Sequence, residues 1–134
     1  MENYCKSVVI EANTMIDMAR KQILPAVQAY TGALAGSVAA KKAVAPKAAC
    51  GYETTLIEKL SALTDQMAGS TDALEAALAE VKGCRDAIEE SAAIRDTVIG
   101  KMNALRAAAD EAETLTAESY WPFPTYGELL FGVR

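Results

Sequence analysis

TTLIEKLSALTDQMAGSTDALEAALAEVK, residues 54–82, carries the clearest pattern in the chain. Leu56, Leu60, Leu63, Met67, Ser70, Leu74, Leu78 and Val81 follow one another by fours and threes. Apolar residues so spaced line one side of a helix and make the heptad seam of helices packed nearly along one another's axes. Thr55 with Glu58 has capping-box spacing, in which hydroxyl and carboxylate each take an otherwise unpaired backbone N–H. A helix is therefore predicted from about Thr54 to Lys82. Gly69-Ser70-Thr71 is its weak spot, and Asp72 with Glu75 could cap a new helix there. The seam keeps its register across that point, so one helix is expected.

The flanks read the same way. From about Lys6 to Val44, Ile16, Ile23, Val27, Tyr30, Leu34 and Val38 mark one helical face, widened by Met15, Met18 and Ala19. Pro25 lies inside it, and an interior proline costs about 3 kcal/mol or more. The apolar phase runs through it unchanged, which predicts a kinked but continuous helix, with a break at Leu24 as the alternative. Gly32 and Gly36 are expected to mark close helix–helix approach. Residues 43–53, with Pro46 and Gly51, form a connection. After residue 82, Gly83 sits where a helix C-cap belongs and Asp86 with Glu89 repeats the capping-box spacing, so the chain should reverse near 82–86. A third helix is expected from about Asp86 to Glu118. Its seam is Ile88, Ser91, Arg95 (or Ile94), Val98, Met102, Leu105, Ala109 and Ala112, with Arg85–Glu89 and Arg106–Asp110 as exposed pairs four apart.

Thirty helical residues make a rod of roughly 45 Å, and a single apolar stripe must be buried against another. The expected fold is all-α: an antiparallel bundle of three long helices in a single domain, 1–134, with modest stability because its Ala-rich faces bury little area.

The bundle should end in an aromatic strap, 120–134. Five of the eight aromatic residues fall there, including the only Trp and both Phe. Pro122 and Pro124 exclude a regular helix, since each lacks an N–H and Pro124 pushes Phe123 towards extended geometry. Such a strap needs a surface, either its own helices or a partner. Trp121, Phe123, Tyr126, Leu130 and Phe131 are the candidate docking residues, because aromatic side chains anchor interfaces.

Composition excludes several functions. The net charge is −5 and the pI about 4.8, which argues against nucleic acid, whose phosphates need a basic patch. Lys41, Lys42 and Lys47, beside Pro46, read as a solvated loop. Cys5, Cys50 and Cys84 lack CxxC spacing and read as free thiols of a reducing cytoplasm. No apolar run reaches the eighteen or so residues of a membrane span, and the N-terminus has too short an apolar core for a signal peptide.

Catalytic chemistry has little to work with. Histidine is absent, which removes the commonest general base and metal ligand. Glu89, Glu90, Asp110, Glu111 and Glu113 are the densest carboxylates. Adjacent helical positions point about 100° apart, so these groups diverge where a catalytic pair would converge. Met15, Met18, Met67 and Met102 read as core filling, not a soft-metal site. No Gly-rich phosphate loop occurs.

The residues also carry a family resemblance. The ending AESYWPFPTYGELLF (117–131) resembles the C-terminus of the type III glutamine synthetases, the large bacterial form. Ile94–Ile99 with Met102–Asp110 resembles the helix before that ending. Ile10-Glu11-Ala12 with Met18–Val27 resembles the family's helix after the catalytic domain, and Tyr52–Leu63 the next one. The resemblance implies a non-catalytic, cytoplasmic C-terminal helical domain of a larger enzyme. That enzyme would join ammonia to glutamate with ATP and a divalent metal such as Mg, at sites between subunits of ring-shaped oligomers. It implies that the catalytic, cofactor-binding and metal-binding residues all lie upstream, so none is assigned here, and that Met1 is an introduced start or that of a truncated frame. The implied partners are the catalytic domain of the same chain and neighbouring subunits, with no nucleic acid and no membrane. Changing Trp121 and Phe123 to Ala should then loosen assembly of the full-length enzyme while leaving the bundle helical. The other reading is a free-standing coiled-coil adaptor or signalling module. Its seam would look the same, but a Pro25 kink and a Pro-Pro aromatic ending fit it poorly.

Overall fold

The computed structural model describes residues 2–124, and side chains from 4 onward. Among these residues the chain is all helical, in three long rods with no strand. The first rod, 2–44, joins α1 (Glu2–Met18), a π-helical turn (Ala19–Ile23) and α2 (Leu24–Val44) without a break. The second is α3 (Gly51–Lys82). The third, 87–115, joins α4 (Ala87–Ala93), a second π-helical turn (Ile94–Val98) and α5 (Ile99–Leu115).

Pro25 neither breaks the first rod nor sits in ordinary α-helix. The widened turn stands immediately before it, closed by the Leu24 N–H donating to the Ala19 carbonyl. A proline ring clashes with the carbonyl four residues back. A turn with one extra residue relieves that clash and keeps the helix going. The buried face runs across it as Cys5, Val8, Ala12, Ile16, Ala19, Ile23 and Val27. Tyr30, Leu34 and Val38 continue the stripe only half-buried.

The second rod is unbroken through 69–72. Its buried residues include Leu56, Leu60, Leu63, Met67, Leu74, Leu78 and Val81, as expected, but Thr71 takes the place given to Ser70. The Thr71 hydroxyl donates to the Met67 carbonyl at 2.7 Å, so its methyl is buried without stranding a polar group. The start differs too. The helix opens at Gly51, with Cys50 as an N-cap that makes no side-chain bond, so Thr55 and Glu58 lie inside the helix and cap nothing. The connection before it turns at Pro46, where the Ala48 N–H donates to the Ala45 carbonyl. Proline is favoured at the second place of such a turn.

The third rod is capped as expected on one side of the box: Asp86 Oδ1 accepts from the Glu89 N–H at 2.8 Å. Gly83 occupies the predicted C-cap, but with φ −85° it is right-handed there. The rod's buried face is Ile94, Val98, Met102, Leu105, Ala108 and Ala112. Ile88 is 84% exposed and Arg95 is exposed. Of the Arg95-or-Ile94 alternative it is Ile94 that is buried, on the π turn, and Ser91, half-buried, lies beside Cys5 of the first rod. The helix stops at Leu115, three residues short of Glu118. There Thr116 turns extended, and both its hydroxyl and its N–H bond to the Ala112 carbonyl.

The three rods share one core. The contacts between the first and second fall in opposite order along the chain, Arg20 meeting Asp72 and Glu75, and Lys41 meeting Glu53. Those between the first and third rise together, Cys5 beside Ser91 and Glu11 beside Arg106.

Candidate docking surface

The third rod ends before the other two do, and this shapes the surface. Past Val27, no residue of the first rod is fully buried. Tyr30, Thr31, Leu34 and Val38 lean half-buried towards the rest of the chain, while Ala29, Ala33, Ala40 and Val44 stand exposed, Val44 at 88%. Gly32 and Gly36, expected at a close approach, have nothing within 4 Å of where a Cβ would sit. An apolar cleft of about 360 Å³ runs over Ala40, Val44, Ala45 and Ala48. The helix Tyr4–Val44 even contains an 18-residue stretch of mean hydropathy 1.3, apolar and long enough by composition to cross a membrane. Counting uninterrupted runs missed it, because Gln28, Thr31 and Ser37 interrupt the run without much lowering the mean.

Residues 116–124 lie on this end of the molecule. After Thr116 the chain turns, the Tyr120 and Trp121 N–H groups donating to the Ala117 carbonyl. The Tyr120 ring sits on Tyr30, centroids 5.2 Å apart. Trp121 and Phe123 meet edge to face at 6.4 Å, and both are half-buried against the shared core together with Tyr30, Leu34 and Leu115. The structure thus brings two of the five candidate docking residues onto the chain's own helices. Tyr126, Leu130 and Phe131 lie outside the described residues. Burial pushes the Tyr30 hydroxyl's pKa up, with smaller contributions from Tyr52 and Tyr120. Tyr52, 73% exposed, belongs to this aromatic corner, although its sequence neighbourhood read as a plain connection.

Charged bridges fix the rods in ways that residue spacing alone did not reveal. Arg20, on the first π turn, grips Glu75 with both terminal nitrogens and Asp72 with one, each at 2.9 Å. A planar guanidinium suits this two-point grip on a carboxylate. It holds the Glu75 carboxyl below its usual range. Asp72 and Glu75 therefore brace the second rod from outside and do not cap a new helix. Arg106 reaches Glu11 at 3.2 Å and Asn103 at 3.3 Å. Among the described residues no ion pair joins it to Asp110, or Arg85 to Glu89. On an exposed helix face the pair four apart is worth only tenths of a kcal/mol, so a partner on another rod easily wins.

Lys41 is not a purely solvated lysine. Its ammonium meets the carboxylate of Glu53, whose side chain is only 8% exposed, in the first turn of α3. That bond, with Glu53's own backbone N–H, holds the Glu53 carboxyl below its usual 4.5. The same bond raises Lys41 above its usual 10.5. The signs give a window. A lowered carboxyl stabilises the fold fully above the unfolded value and loses that as pH falls through the folded one; a raised ammonium does the reverse on the alkaline side. The difference in melting temperature between the native chain and Glu53→Gln should therefore be flat between about 4.5 and 10.5 and shrink outside it. Thermal melts of both proteins across pH test this. A difference that changes steadily through neutrality would refute the pairing.

The carboxylates weighed as catalytic are spread over the surface. Glu89, Asp110 and Glu111 are exposed, and Glu90 and Glu113 half-exposed. Met67 and Met102 are buried in the core and Met15 and Met18 half-buried. Among the described residues no group of three or more Cys, Asp or Glu could hold a metal ion.

Comparison with known proteins gives a consistent result. The family described as glutamine synthetase C-terminal domain matches residues 1–42. A glutamine synthetase of Butyrivibrio fibrisolvens is 34% identical over 134 residues, which is 100% of this chain and 19% of that protein. A type-3 glutamine synthetase of Dictyostelium discoideum is 28% identical, over 97% of this chain and 18% of that protein. The chain thus spans about a fifth of the length of the curated relatives it matches. No solved structure matches it.

Proposed function

Because the chain belongs to the C-terminal helical domain of the type III glutamine synthetases, we propose that it is a non-catalytic assembly domain of a larger ligase. In this reading the three rods form an antiparallel bundle with 120–134 as an aromatic strap, and the order of the contacts between rods supports it. The parent joins ammonia to glutamate with ATP and Mg in the cytoplasm, using residues outside 1–134. The occupant proposed for the open flank is the catalytic domain of the same parent chain, with neighbouring subunits beyond it.

One observation carries the reading. The far half of the first rod has no fully buried residue past Val27. Relatives about five times longer carry the protein that could cover it. The uncovered side of this half is rich in Ala and Gly, which let another backbone come close. The same covering would keep its apolar stretch from a membrane. The strap then positions this flank and does not itself form the whole contact, since Trp121 and Phe123 are half-buried on their own bundle. The other reading, a free-standing adaptor or signalling module, draws no support from the relatives.

The test uses Ala33→Glu with Ala40→Glu, both exposed positions. In the isolated chain the pair should change stability by no more than about 0.5 kcal/mol for each site, as surface substitutions do. In the full-length protein the same pair should lower the native mass of the assembly and, with it, glutamine synthesis at sites shared between subunits. Unchanged assembly would sink the proposal. A higher-order species of the isolated chain that the substitutions dissolve would reassign the flank to a second copy of this chain.

A further inference from the structure

Cys5 and Cys84 stand far apart in sequence but line the same space. Cys5 is on the first rod and 2% exposed. Cys84 is in the turn between the second and third rods and half-exposed. A cavity of about 300 Å³ has both in its wall, with Ser91 and Asp86. A neighbouring one of about 370 Å³ has both again, with Val9 and Val81. Lys6 and Glu90 border the two. Both thiols are free, Cys5 Sγ lying 3.5 Å from Ser91 Oγ and Cys84 donating to the Glu80 carbonyl at 3.5 Å. We propose that Cys5 and Cys84 form a reversible redox pair that closes into a disulfide across this cavity when a small disulfide oxidant reaches it.

The two cysteines differ in a way that assigns their parts. Cys84, the half-exposed one, meets the oxidant. Its thiol loses a proton, the sulfur attacks one sulfur of the oxidant, and one small thiol leaves, giving a mixed disulfide on Cys84. Cys5, in the wall of the same cavity, then loses its proton and attacks the Cys84 sulfur, and the second small thiol leaves. Two protein thiols are oxidised and one small disulfide is reduced to two thiols, so the exchange balances. The first rod's start becomes tied to the turn joining the other two. The tie closes a loop of more than half the chain, which by loop-closure reasoning adds stability.

The surroundings make the switch slow at neutral pH. Burial pushes the Cys84 thiol up, and Glu89, Glu90, Asp86 and Glu80 add to it. Lys6 and Arg85 also border the first cavity and set the opposing charge. Because only the thiolate attacks, the rate should rise about tenfold per pH unit through the neutral and mildly alkaline range.

The native chain, incubated with oxidised glutathione, provides the test. The expected product is lighter by two hydrogen atoms and monomeric. Trypsin should release fragments 1–6 and 83–85 joined by one disulfide, with Cys50 still free. The thermal midpoint should rise by on the order of 10 °C and return on reduction. Cys5→Ser should trap glutathione on Cys84, while Cys84→Ser should leave Cys5 largely unmodified. The proposal is overturned if the native chain keeps a glutathione on each thiol, if Cys50 forms the bond, or if neither thiol reacts before the chain unfolds.

Discussion

Met67→Ala is expected to destabilise the chain by about 2–5 kcal/mol, the range for emptying a fully buried Met or Leu position. Met67 has no exposed surface and belongs to the core shared by all three rods. It is flanked along the second rod by Leu63 and Leu74, at 4% and 0% exposure. The cavity left behind adds its own cost to the lost transfer energy. Domains of ordinary size have about 5–15 kcal/mol in total, so the loss is a large share of what holds the rods together. Urea unfolding followed by circular dichroism measures it. A loss below about 1 kcal/mol would mean that the rods close around the gap, and that the core at this level is loosely held.

Ile94→Ala should cost about 2–5 kcal/mol as well, whereas Ile88→Ala should stay within about 0.5 kcal/mol. Ile94 is fully buried and Ile88 84% exposed. The contrast reports on the inward face of the third rod, where Ile94 sits on the π turn Ile94–Val98. The same denaturation experiment on both variants settles the point. Equal losses would mean that Ile88 is buried as deeply as Ile94, and the inward face assigned to the third rod would be wrong.

These two sites also show what the sequence could reveal and what it could not. The second rod was legible almost residue by residue, because its apolar spacing is regular and no proline or widened turn intervenes. The misplacement of Ser70 for Thr71 is one step along the helix, decided by a hydroxyl that can satisfy itself on its own backbone. In the third rod the spacing was less decisive, since Arg95 and Ile94 both fit it, and the π turn there has no signature in composition. Of the two candidates at that point, Arg95 and Ile94, the structure buries the second. Pro25 was rightly read as lying within a continuous helix, yet the widened turn before it was not foreseen. Ion pairs between rods were invisible for a different reason. Spacing four apart is local and can be counted, whereas Arg20 with Glu75 or Lys41 with Glu53 depends on how two rods are set against each other. On the candidate surface, the aromatics and prolines of 120–124 drew attention to residues that the structure lays on the chain's own helices. The open flank could not be read from the sequence, because an apolar stripe looks the same whether a partner covers it or not.

The shorter third rod divides the molecule energetically. Near the turn at 82–86 and through the middle, each rod is held by two others. Beyond Val27 the first rod leans on one neighbour and on Tyr120, Trp121 and Phe123, and keeps its helix largely by the intrinsic preference of its alanines. Opening of that far half exposes few buried side chains and need not disturb Leu60, Met67 or Leu105. Such a segment forms a separate, weaker cooperative unit of the fold. Its order is therefore sensitive to whatever covers it: a partner seated there would add its binding free energy to the stability of that half alone. Assembly would then complete the folding of the domain, and loss of the partner would be felt first as fraying at Val44.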